Sequence, residues 1–82
     1  MMPTPPKLTN EEILAQAGVT REKLGESVRR EWAAWAREQP DVAEHPHWLM
    51  PWAELAERDR EVDRRIGERL FCAGWRMRVW LP

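Results

Sequence analysis

Eighty-two residues set the ceiling at one domain, near the lower limit at which a single hydrophobic core outweighs the entropy of ordering the chain. Lys and Arg number 13 against 14 Asp and Glu, a formal charge of -1, which offers no general attraction for a polyphosphate strand and disfavours wholesale nucleic-acid binding. The one cysteine, Cys72, cannot form an internal disulfide, and no C-x-x-C spacing supplies a metal staple, so dimerisation is the remaining way to reinforce so small a core.

The sequence has no charged-then-apolar leader and no apolar run of the ~20 residues needed to span a bilayer, so the expectation is a cytoplasmic protein without a membrane partner. Its aromatic content is biased: Trp 6, Phe 1 and Tyr 0. Each indole carries an N–H that needs a partner when buried.

Met1 to Lys7 contains Pro3, Pro5 and Pro6, which remove backbone donors and disfavour helix in the preceding residues. Residues 1–7 are therefore expected to be a flexible lead-in, and residues 8–82 a single helical domain. Thr9 to Glu12 predicts a helix start, with Thr9 as N-cap and Glu12 as the reciprocal half of a capping box. Gly18 is a left-handed stop and Thr20 a second N-cap, so Gly18-Val19-Thr20 predicts a tight junction between helices.

Helix, tight turn, helix is also the outline of a DNA-binding helix-turn-helix. The second helix, about Thr20 to Glu38, carries Leu24, Val28, Trp32 and Trp35 at i, i+4, i+8 and i+11, a stripe suited to burial rather than to a major groove. Two capped helices packed on each other are the preferred reading. Arg29, three residues before Trp32, shares one edge of that helix with it.

Pro40 to Pro51 is a proline-rich loop, and helical patterning resumes at Trp52. Leu55, Val62, Ile66, Leu70 and Ala73 predict a buried stripe, with Glu54/Arg58, Glu61/Arg65 and Glu57/Arg60 as surface pairs. Asp59 and Asp63, at the edge of that stripe, read as a solvated flank, with a role in orienting a cation or an indole N–H as the alternative. Gly74 is expected to stop the third helix, and the alternation from Trp75 to Leu81 predicts a short C-terminal strand. The fold class expected is thus mainly α, three helices with a proline-rich loop and a short terminal strand.

No phosphate loop, nucleophile elbow or H-E-x-x-H is present, and Cys72 has no local base, so an enzyme is not expected. His45 and His47 lie near Asp41 and Glu44, in principle a metal-ligand set, but two His on such a loop more often serve as hydrogen-bonding or surface groups. No metal or cofactor is assigned. Aromatic faces beside guanidinium groups suit the stacking of a planar ring with an attached phosphate. Arg29, Trp32, Arg37, His45, Pro46, Trp48, Leu49 and Trp52 are the candidate ligand-binding residues, with Trp32 and Trp48 foremost, Trp35 mostly core and Trp52 between the two roles.

Leu24-x-Glu26-Ser27-Val28-Arg29-x-x-Trp32, His45-Pro46-x-x-Leu49-x-Pro51-Trp52-x-x-Leu55, Asp63-Arg64 and Gly74-Trp75 together resemble the ryanodine receptor repeat, over about Leu24 to Trp75. The resemblance implies a small helical module that packs in pairs about a pseudo-twofold axis, with a cleft between repeats associated with nucleotide-like ligands. Arg29 stands where the family has His, which favours a more anionic ligand, and the G-W-x-Y-G segment after the first family helix is absent or compressed into Gln39 to Glu44. With one repeat in place of two, the chain is expected to form a homodimer whose second copy supplies the missing half of the cleft. The function expected is a non-catalytic binding module for a nucleotide-derived or similar aromatic anionic small molecule, or else a protein-interaction adaptor using the same Trp and Arg residues.

Overall fold

Thr9 caps the first helix, α1 (Asn10–Ala17), by the reciprocal arrangement its spacing predicts. Its hydroxyl accepts from the Glu12 amide at 3.1 Å, and the Glu12 carboxylate accepts from the Thr9 amide at 3.0 Å. Gly18 ends α1 with φ 69°, the left-handed conformation a glycine adopts without a Cβ penalty. Thr20 then caps α2 (Arg21–Arg37) by accepting from the Lys23 amide at 3.1 Å.

The computed structural model describes residues 7–80, with side chains through Arg78. The expected lead-in therefore lies outside the described residues except for Lys7. Among those residues the protein is mainly helical, with three α-helices and no strand. After α2 the prolines break the chain into three short 3-10 turns, Val42–Glu44, Pro46–Leu49 and Trp52–Glu54, before α3 (Glu57–Trp80). At 1.5 Å per residue the 24 residues of α3 make a rod about 36 Å long, on which the rest of the fold is laid.

α2 runs antiparallel along α3, its first residue Arg21 bridging Glu61 and Glu68 and Arg29 reaching Asp63. Two glycines permit that approach: a Cβ at Gly67 would lie 2.8 Å from the backbone of Leu24, and one at Gly25 would lie 2.8 Å from the Trp52 ring. α1 packs on the C-terminal half of α3, where Ile13, Leu14 and Cys72 form the buried core with Leu8, Leu24, Phe71 and Trp75 against it.

Several sequence-based expectations change. Trp75 to Trp80 is helical, so the expected strand is not formed, and Gly74 lies inside α3 rather than ending it. Leu81 lies outside the described residues. A lone strand would have no backbone partner here, whereas continued helix satisfies each amide internally.

The expected buried stripe of α3 faces solvent. Leu55 is buried, but Val62, Ile66 and Leu70 are 54%, 43% and 68% exposed, and Ala73 is exposed too. The face turned inward instead carries Asp63, Gly67 and Cys72. Asp63 is consequently no solvated flank: it is buried and paired with Arg29.

Finally, α3 begins at Glu57, because Trp52–Glu54 forms a 3-10 turn first and Leu55 is extended. Of the expected surface pairs, Glu57 meets Arg60 at 3.0 Å, while Glu61 pairs with Arg21 and Arg64 in place of Arg65.

Candidate functional site

Where the proline loop folds back on the end of α2, three indoles gather. Pro46 opens the turn Pro46–Leu49 and places Trp48 over α2. Trp32 and Trp35 sit with ring centroids 5.0 Å apart, and Trp48 meets Trp32 edge-on at 5.9 Å and Trp35 at 6.0 Å. Tilted and edge-on geometries match the ring quadrupoles, so the cluster holds its own shape. Yet Trp32 and Trp35 remain 37% and 46% exposed. The expectation that Trp35 is mostly core is thereby corrected: the loop covers one side of the cluster and leaves the other open.

His45 stacks flat on Trp48, centroids 4.0 Å apart and planes within 9°. Its Nε2 lies 3.4 Å from an Asp41 carboxylate oxygen. Asp41, Glu44 and His45 bring potential metal-ligating atoms within 4.8 Å of one another, whereas His47 is not among them. His47 instead sits edge-on to Trp48 at 6.3 Å.

Arg29, Trp32, His47, Trp48, Met50, Leu55 and Asp59 line one concavity of about 290 Å³. Its cation is held from behind, since Arg29 donates through Nε to Asp63 at 2.9 Å. The guanidinium has five N–H donors, so the Nε contact leaves its terminal nitrogens without a protein partner among the described residues. Asp59, from the first turn of α3, supplies a carboxylate at the same concavity.

The candidate residues divide accordingly. Arg29, Trp32 and Trp48 line the concavity together; His45 stacks on Trp48 and Pro46 opens the turn that carries it; Leu49 is exposed in the same turn. Arg37, the last residue of α2, is exposed and does not line it. Trp52 belongs to a different group, its indole N–H donating to Glu22 at 2.6 Å and its ring 5.8 Å beneath the Arg64 guanidinium. Sequence reasoning reads His47 as a hydrogen-bonding residue at the edge of the site and does not assign Met50, Leu55 or Asp59 to it. Met50 lies in the same proline loop, which is the available signal, but Asp59 arrives from α3 and spacing along the chain does not show it.

Around Trp52 the ion pairs are dense. The Trp52 indole first, then Arg64, hold the Glu22 carboxyl below its ordinary range; Arg64 does the same for Glu57 and Arg21 for Glu61. The Arg64 guanidinium is pushed up by Glu57 and Glu22, and burial raises the Cys72 thiol. A buried thiol with a raised pKa is a poor nucleophile.

Among the described residues no helix is long and apolar enough to cross a membrane. Compared with known proteins, the chain matches no family model, no curated protein and no solved structure.

Proposed function

We propose that the chain is a non-catalytic binding module that stacks a planar aromatic, anionic small molecule of the nucleotide-derived class against Trp32 and Trp48, with Arg29 meeting the anionic group. The observation that carries this reading is the meeting of Arg29, Trp32 and Trp48 in one concavity. At about 290 Å³ it is at the lower edge of small-molecule pockets, room for the ring of a nucleotide but not for its phosphates. The ring therefore enters and the charge stays at the rim, where Asp63 has already fixed the cation and so lowered the ordering cost of binding.

The resemblance to the ryanodine receptor repeat points the same way and adds a second copy beside the cleft. Titration with adenine nucleotides and ADP-ribose tests the reading. Quenched tryptophan fluorescence and a raised melting temperature are expected, both lost in Trp32→Ala. No response to any compound of the panel contradicts it.

A second reading, a protein-interaction adaptor, is favoured by the exposure of Trp35, Leu49 and Met50 around the concavity, since exposed indoles at the centre of an apolar patch are common hot spots. It predicts indifference to the panel together with loss of partner binding in Trp35→Ala.

A further inference from the structure

Val62, Ile66, Leu70, Ala73 and Met77 recur at steps of four, four, three and four residues, which keeps them on one face of α3. None is buried. Val62, Ile66, Leu70 and Met77 are 54%, 43%, 68% and 64% exposed, and Ala73 is exposed as well. The buried apolar set has no more members: Ile13, Leu14, Ala36, Leu55 and Cys72, with Leu8, Leu24, Phe71 and Trp75 packed partly buried against part of it. A chain this short is thus left with a continuous stripe of large apolar side chains on one outer helix face, the pattern of an uncovered interface rather than of scattered surface residues.

We propose that this face is where a second copy of the chain docks, with the two α3 helices antiparallel about a twofold axis between Arg69 and Leu70. The inference deepens the reading above by naming the surface for the second copy. Two features select this occupant and orientation. Four of the five stripe positions are symmetric about that axis, so Ile66 of one copy falls opposite the small Ala73 of the other and Val62 opposite Met77, while Leu70 lies next to the centre. The ends are complementary in charge. Asp59 and Arg78 are both exposed, neither has an ion-pair partner among the described residues, and they lie near opposite ends of the stripe, so antiparallel packing puts Asp59 of one copy at the same end of the dimer as Arg78 of the other. Arg69, at the edge of the stripe, is long enough to carry its charge out to solvent.

Sedimentation equilibrium of the full chain, without any small molecule, measures the association directly. The expected result is a dimer at micromolar concentration, with the double variant Ile66→Glu/Leu70→Glu weakened roughly 100-fold or more while its helical circular dichroism is unchanged. Both positions are exposed, so the substitutions do not enter the core. Register is read from cysteine pairing under mild oxidation, with the buried Cys72 left in place. Ile66→Cys mixed with Ala73→Cys should cross-link, while either variant alone should not. A monomeric chain, a dimer untouched by the double substitution, or cross-linking of Ile66→Cys to itself would each overturn the proposal. Because no ligand is present, failure here leaves the ligand titration to stand or fall separately.

Discussion

Arg29 donates through Nε to the Asp63 carboxylate at 2.9 Å, and this ion pair, with Asp63 buried, ties the middle of α2 to α3 directly behind the aromatic concavity. Removing one partner strands the other charge away from water, which costs far more than the pair itself contributes. Arg29→Met is expected to destabilise the fold by about 2–3 kcal/mol, below the fully buried case because the Arg29 side chain keeps 20% of its exposure. The double variant Arg29→Met/Asp63→Leu should recover part of that loss in urea unfolding. Equal stability of the single variant and the parent chain would refute the role assigned to the pair.

Gly67 and Gly74 lie seven residues apart on one helix and should respond oppositely to alanine. At Gly67 the new methyl would lie 2.8 Å from the Leu24 backbone, which cannot move aside without separating the helices. Gly67→Ala should therefore cost about 1–3 kcal/mol despite alanine's better helix propensity. At Gly74 a Cβ meets nothing within 4 Å, so Gly74→Ala should stabilise the chain by about 0.5–1 kcal/mol. Thermal denaturation of both variants checks the pair of signs, and a destabilised Gly74→Ala would mean that α3 does not continue through that position.

Those glycines also show what the sequence discloses. The capping box at Thr9, the left-handed Gly18 and the Thr20 cap are local hydrogen-bonding devices, complete within a few residues, and each is legible in the order of residues alone. Periodicity likewise finds the apolar stripe of α3, but a period says only that residues share a face, not that the face meets its own chain. The face that does meet α2 is disguised, because close approach there requires Gly67 and because Asp63 is buried only by virtue of Arg29 in another helix. Gly74 misleads for a related reason: glycine is a helix stop only where the backbone turns left-handed, and here it does not. In the site, the nearness of Trp32 to Trp48 is readable from the helix and its returning loop, whereas the contribution of Asp59 depends on how α3 is docked.

Acid should loosen the α2–α3 seam before it reaches the core. Glu22, Glu57 and Glu61 all have folded carboxyl pKa values below the ordinary 4.5. A depressed folded pKa contributes stability that is fully present above the unfolded value and is lost as pH falls through the folded one. The melting temperature is expected to hold from neutrality down to about 5 and to fall below it, with a shallower fall in Arg64→Met, which removes the shared cation. Glu22 and Glu57 are exposed and Glu61 is half-buried, so added salt should also flatten the profile. An acid profile identical in Arg64→Met and the parent chain would show that the seam carries no pH dependence.

Trp52 and Trp48 separate structure from recognition. The Trp52 indole serves Glu22 and lies over Gly25, outside the concavity. Trp52→Phe removes a hydrogen bond to an exposed carboxylate, so it should lower the melting temperature slightly and leave ligand affinity unchanged. Trp48→Ala should do the reverse at the site, removing one stacking face worth about 1–3 kcal/mol of binding. Calorimetric titration of the two variants reads the difference, and a loss of affinity confined to Trp52→Phe would move the site elsewhere.

The central claim, that Trp32 and Trp48 with Arg29 receive a planar anionic ligand, is tested most directly by following the indole N–H resonances of the six tryptophans during titration with ADP-ribose. Saturable shifts of the Trp32 and Trp48 signals, with those of Trp52 and Trp75 unmoved and all shifts lost in Arg29→Met, are the predicted result. Six indole signals that stay in place at millimolar ligand would contradict it.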